Sequence, residues 1–207
     1  MSPPHLTVAS LGEWIRRDAA GRARYLFGIT GPPGSGKSTI AVTLAHELGA
    51  PIAPMDGFHL PNRTLDERGL RGVKGAPETF AAHEFADAVR RLRAATEDVL
   101  IPDFDRRVDE PRPDRIRLRS TDSIIIVDGN YLLLDRDPWS TLRDCLDAVA
   151  YVDVDPEVRL ARLIDRHVQF GKTPEAAAIF VRESDERNTE IIEAARHRSD
   201  LFIEDSP

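Results

Sequence analysis

The octapeptide GPPGSGKS, Gly31 to Ser38, fits the pattern G-x-x-x-x-G-K-[ST] at every fixed position. Such a loop works between a buried strand and a helix, because its inward-pointing N–H groups and the positive end of the following helix together hold phosphate oxygens. Both neighbours are present. YLFGIT at 25–30 reads as a short buried strand, and Ile40, Leu44 and Leu48 repeat at helical spacing until Gly49 stops the pattern. The implied ligand is a nucleoside triphosphate. Gly31, Gly34, Ser35, Gly36, Lys37, Ser38 and Thr39 would cradle its phosphates, with Lys37 reaching the β and γ groups and Ser38 ligating magnesium.

The rest of the chain alternates strand and helix signals. PIAPM at 51–55 is a short strand, and Phe85, Val89 and Leu92 mark the inner face of a helix over 81–95. DVLIPD and RIRLRS are short extended pieces around an irregular Pro/Arg segment. SIIIVD at 123–128 is an unbroken apolar run suited to a strand covered on both faces, and AVAYVDV at 148–154 is another strand. Asp155 and Pro156 supply an N-cap and first-turn proline for a helix to about 169; Thr173 and Pro174 open a second helix to about 197, and DLFIED closes the chain as a strand. This order predicts a single α/β domain over 1–207 with the P-loop NTPase fold: a parallel sheet, helices on both faces and a small helical lid.

Composition removes several other classes. A net charge of -7 argues against broad nucleic-acid binding, which needs clustered Lys and Arg. The arginines between Arg106 and Arg119 are interleaved with Asp109, Glu110 and Asp114, which suits solvated strands or a hairpin. No window has the long uncharged run of a membrane span, and the N-terminal stretch does not read as a secretory signal, so a cytoplasmic location is expected. The one cysteine, Cys145, cannot form an internal disulfide and reads as a packing residue. The histidines show no zinc-ligand spacing.

In a parallel sheet, ligands gather at the carboxyl ends of the strands. Acids stand there: Asp56 after PIAPM, Asp103 and Asp105 after VLIP, and Asp128 after SIIIV. Asp128 suits a metal ion or its water. Asp56 has two readings, since the surrounding PMDGFHLPN has the composition of a turn, yet its carboxylate could accept a proton from an incoming hydroxyl. Arg159, Arg162 and Arg166, spaced by three and four, share a helical face next to HVQFGKTPE; they suit a lid over about 159–175, or a solvated face paired with Asp155 and Asp165. The chain lacks N-K-x-D, the guanine-reading motif, so a small-molecule kinase is favoured over a regulatory NTPase that hydrolyses ATP to switch a protein partner.

GPPGSGKST, MDGFHLPNRTLDERGLRGVKGAPETF, IPDFDR, IIIVDGNYLLL and YVDVDPEVRLARLIDRH together resemble the phosphate-loop kinases that include uridine kinase, phosphoribulokinase and bacterial type I pantothenate kinase. The resemblance runs from about 27 to 188. It implies ATP and Mg2+, Asp56 as general base, Arg162 and Arg166 on the phosphates, and Arg159 nearer the acceptor; members often pair, which allows a homodimer. Residues 56–80 resemble the acceptor-binding segment of pantothenate kinases, and Gly75 stands where uridine kinases carry an acid that grips ribose hydroxyls. Phe104 stands in place of a usual Tyr, and Asp128 in place of a more common Glu. Short chains with DGFH and GNYLLL also resemble kinases suspected of acting on sugars. A pantothenate-like or sugar acceptor is therefore favoured over a nucleoside. The candidate acceptor contacts are His59, Lys74, Asp105, Arg106, Arg159 and Asn188. For His59 a packing role, and for Arg63, Arg71 and Lys74 a solvated one, are open alternatives.

Overall fold

The computed structural model describes residues 3–204; residues 1, 2 and 205–207 of the expected domain, with the last residue of DLFIED, lie outside the described residues. The strands are β1 (His5–Thr7), β2 (Tyr25–Thr30), β3 (Ile52–Pro54), β4 (Val99–Asp105), β5 (Glu110–Leu118), β6 (Ile124–Asp128), β7 (Ala148–Asp153) and β8 (Leu201–Glu204). Six of them form one sheet in the order β1-β8-β7-β2-β6-β3, and every pairing in it is parallel. β4 and β5 pair only with each other, as an antiparallel hairpin. The short extended pieces expected around the Pro/Arg segment are thus the two arms of one hairpin outside the main sheet.

The helices are α1 (Val8–Asp18), α2 (Lys37–Leu48), α3 (Asn62–Glu67), α4 (Ala82–Ala94), α5 (Pro156–Gln169), α6 (Pro174–Phe180) and α7 (Glu186–Ala194). Successive side chains of a strand point to opposite faces, and the sheet divides its core accordingly. Leu26, Ile125, Val127 and Val149 join one apolar cluster with Phe85, Val89 and Leu92 of α4 and Ile192 of α7. Phe27, Ile29, Ile126 and Ala150 join the other, with Leu11 and Ile15 of α1 and Ile40 and Leu44 of α2. Helices therefore cover both faces, as the alternation of elements predicts.

One expected element is irregular, and one stretch carries elements beyond those expected. The helix expected from Thr173 to about 197 is present but irregular: a π-helical turn, Val181–Asp185, joins α6 to α7, and a 3-10 turn, Arg196–Arg198, follows. The N-terminal stretch carries β1 and α1, whose signal was Leu11 and Ile15 at a spacing of four. Asp155 caps α5 as expected, accepting from the N–H groups of Glu157 and Val158. Among the described residues, no helix is long and apolar enough to cross a membrane.

Candidate active site

Strand register brings the carboxyl ends together. Asp128 pairs with Ile29 of β2 on one side and with Pro54 of β3 on the other. The glycine-rich loop leaves β2 one residue after Ile29, at Thr30, and Asp56 lies two residues beyond Pro54. Loop, Asp128 and Asp56 consequently share one edge of the sheet. The helix that follows the loop, α2, has no side-chain cap and no acid in its first turn, so its N-terminal N–H groups are left for a ligand.

Asp128 is buried, and its Oδ1 has no hydrogen-bond partner among the described residues. Burial pushes its carboxyl above the usual range, opposed by Lys37 and then by Ser38. Lys37 is shifted down by its own burial, with Asp128 and Asp56 as the attractions that oppose it. A buried carboxylate oxygen without a donor costs free energy unless something else binds it. The combination of that oxygen, the Lys37 ammonium, the Ser38 hydroxyl and an open helix N-terminus fits a magnesium nucleotide.

The main chain of Asp56 has the turn role its sequence context suggests. Its backbone carbonyl accepts from the N–H of His59 at 3.2 Å and bonds His59 Nδ1 at 2.8 Å, closing a 3-10 turn over Met55–Phe58. Its carboxylate is not used by the turn. Oδ2 instead accepts from Arg106 Nη2 at 2.8 Å. The Asp56 charge is also felt by Lys37, Asp128 and Arg166. His59 packs between Phe80 and Phe104, at ring distances of 4.0 and 4.8 Å, and burial lowers its pKa.

Other candidates separate. The three arginines of α5 do not share one environment. Arg159 is buried, with Nη1 on Thr189 and Nη2 on Glu186, because α7 crosses its side of α5. Arg162 is exposed, and Arg166 is half-buried and faces Asp185, Arg106 and Asp56. Lys74 is engaged within the protein: its ammonium has three donors, which meet Asn62 Oδ1 at 2.7 Å, the Asp109 carbonyl at 2.6 Å and Asp109 Oδ2 at 2.8 Å. Asp105, expected past a strand end beside the phosphate loop, lies within β4 of the separate hairpin, where it accepts from the Arg107 N–H and approaches Arg112. It lines an open groove of about 690 Å³ with Asp103, Phe104, Arg106, Arg112 and Arg115. Asn188 is buried opposite Gly75, whose carbonyl accepts from the Tyr131 hydroxyl at 2.6 Å.

Sequence reasoning missed Tyr131, Asn62 and Asp185. Tyr131 was visible only as part of GNYLLL, and Asp185, which pairs with His167 at 2.9 Å, lies in the π-helical turn that helical periodicity cannot mark. Cys145, in a 3-10 turn, has its thiol pKa raised by burial, which suits a packing residue.

Residues 26–207 match the model of the phosphoribulokinase / uridine kinase family. The chain belongs to this family. Among relatives, a Schizosaccharomyces pombe protein provisionally named as a uridine kinase is 34% identical over 87% of this chain and 83% of its own. The uncharacterized Escherichia coli protein YggC is 34% identical over 85% of this chain and 76% of its own. A crystal structure from Silicibacter sp. TM1040, described provisionally as a fructose transport system kinase, is 37% identical with a TM-score of 0.86, covering 95% of this chain and 98% of the other. The phosphoribulokinase / uridine kinase family is one of P-loop kinases, so a P-loop kinase fold and a phosphotransferase activity follow for this chain.

Proposed function

We propose that this chain transfers the γ-phosphate of ATP to a hydroxyl of a small metabolite, a sugar or pantothenate-like compound rather than a nucleoside. The observation that carries the reading is the convergence of Lys37, Asp128 and the Asp56 carboxylate at one edge of the sheet. Phosphoryl transfer asks the protein mainly for positioning and charge stabilisation. Ser38 and Asp128 would hold Mg2+, which when bound neutralises charge on the β and γ phosphates. Lys37 and the loop amides orient the triphosphate. Asp56 takes the proton of the acceptor hydroxyl as its oxygen bonds to the γ phosphorus, and the bond from that phosphorus to the β-phosphate oxygen breaks to release ADP. Arg166, with Arg162, closes from a lid over about 159–175, while residues 56–80 form the acceptor segment. The whole acts as one domain in the cytoplasm.

The acceptor preference rests on Gly75. Its φ of +106 is a conformation that side-chain-bearing residues rarely adopt, so an acid that grips ribose is disfavoured there. His59 and Asn188 are the acceptor contacts retained in this reading; Lys74 and Arg159 are bonded within the protein, and Arg106 donates to Asp56. The name of the 37% identical Silicibacter structure supports the sugar choice.

The test is ATP consumption with D-fructose, pantothenate and uridine, in the parent protein and in Asp56→Asn. One acceptor class should stimulate consumption, and Asp56→Asn should bind ATP while losing transfer. Consumption indifferent to all small acceptors would favour the regulatory NTPase, and undiminished transfer by Asp56→Asn would remove that residue from the mechanism.

A further inference from the structure

The hairpin that carries Arg106 is anchored on the segment that carries Asp56. Any Cβ on Gly57 would collide with the Pro102 carbonyl oxygen, so main chain lies directly on main chain. The Asn62 amide side chain donates to the Asp109 carbonyl at 2.8 Å, and the Asn62 N–H donates to Glu110 at 3.1 Å. Phe104 packs on His59 and lies 5.0 Å beneath the Lys74 ammonium. With this much docking, the Arg106–Asp56 pair is not needed to hold the hairpin. Its side chains are 52% and 37% exposed, and ion pairs that exposed contribute about 0–1 kcal/mol to a fold.

The pair does fix the carboxylate. Arg106 occupies Oδ2, whereas Oδ1 makes no hydrogen bond among the described residues. Lys37, Asp128, Arg166 and His59 also act on Asp56, but none of them is hydrogen-bonded to its carboxylate. Arg106 additionally feels the like charges of Lys37 and Arg166. Gathering cations without a bound anion is unfavourable, and an arriving triphosphate relieves it.

We propose that Arg106 is a positioning residue for Asp56: it anchors Oδ2 and leaves Oδ1 presented to the acceptor hydroxyl. This inference rests on the reading of Asp56 as the acceptor base. It differs from the role of an acceptor ligand, because Arg106 then acts through Asp56 rather than on the acceptor itself.

A double-mutant cycle separates these roles. Parent, Asp56→Asn, Arg106→Gln and the double variant are assayed with Mg·ATP and whichever of D-fructose, pantothenate or uridine gives the highest rate. If none raises the rate, basal hydrolysis is used, with water as the acceptor. Arg106→Gln should lower kcat by about 10- to 100-fold, the scale of a misplaced catalytic group, and leave the KM for ATP within about twofold. The double variant should be no slower than Asp56→Asn, and Arg106→Lys should recover part of kcat. Multiplicative losses in the double variant would overturn the inference, as would an Arg106→Gln effect confined to the acceptor KM. A large loss of thermal stability in Arg106→Gln would likewise overturn it, by making the pair structural. Turnover at the parent rate in Asp56→Asn alone is a different failure, since it removes the base itself and with it the need to position one.

Discussion

The Lys74 ammonium lies 2.8 Å from the Asp109 carboxylate, tying the segment after β3 to the turn of the β4–β5 hairpin. The Lys74 side chain is 11% exposed, and its other donors go to Asn62 and to the Asp109 carbonyl. Lys74→Ala would leave the partly buried Asn62 Oδ1 without its donor, at about 1 kcal/mol. The expected outcome is a lower midpoint in denaturant unfolding with ATP affinity unchanged. A loss of ATP affinity without loss of stability would return Lys74 to the site.

Which features were legible in the sequence follows from how local their causes are. The phosphate loop, β2, β6 and the cap of α5 are encoded within a few residues each, by glycine spacing, unbroken apolar runs and an Asp-Pro pair. The fate of Lys74 depends on a hairpin turn 35 residues away, and that of Arg159 on α7, 27 to 30 residues on. No local pattern reports such partners. β1 is only three residues long, pairs with β8 at the other end of the chain, and offers too short a run for periodicity to register. Asp56 was ambiguous for a different reason. Its main chain forms the turn while its carboxylate is engaged by Arg106, so the turn reading holds and still leaves the carboxylate outside the turn.

Gly75 gives a test of acceptor choice. Gly75→Asp would introduce the acid that uridine kinases carry, at a backbone with φ +106 and with its Cβ 3.7 Å from Asn188 Nδ2. The strain should cost about 1–3 kcal/mol of stability, and uridine should remain a poor acceptor in a coupled assay of ADP release. A variant that gained uridine phosphorylation without losing stability would show that the backbone there does not set the acceptor class.

His59 should contribute an acid-sensitive part of stability. Burial lowers its pKa, although Asp56 opposes the shift, so the unfolded chain takes up this proton at a higher pH than the folded one. The stabilisation is complete above the unfolded value of about 6.5. It is lost as pH falls from there through the folded pKa, at up to about 1.4 kcal/mol per pH unit. His59→Phe retains a ring between Phe80 and Phe104 and removes the titration. Denaturant unfolding between about pH 7 and pH 5 should therefore show a shallower decline in the variant; an unchanged slope would place the acid sensitivity elsewhere.

If the proposed function holds, Asp128 Oδ1, which has no hydrogen-bond partner among the described residues, is where magnesium should act. A ligand that binds only the folded state raises stability by mass action, about 2.7 kcal/mol at a concentration 100 times its Kd. In the parent protein, ATP with Mg2+ should raise the melting temperature more than ATP alone, because the cation would bridge the nucleotide phosphates and this carboxylate. Asp128→Asn keeps the shape and removes the charge, while Lys37 and the amides of the loop and α2 remain to hold phosphate. The variant should keep the shift given by ATP alone and lose the increment due to Mg2+, together with at least about 100-fold in turnover, as for removal of a preorganised electrostatic contact. An intact Mg2+ increment in thermal melts would mean that the ion is held without Asp128, and the orphaned oxygen would need another ligand.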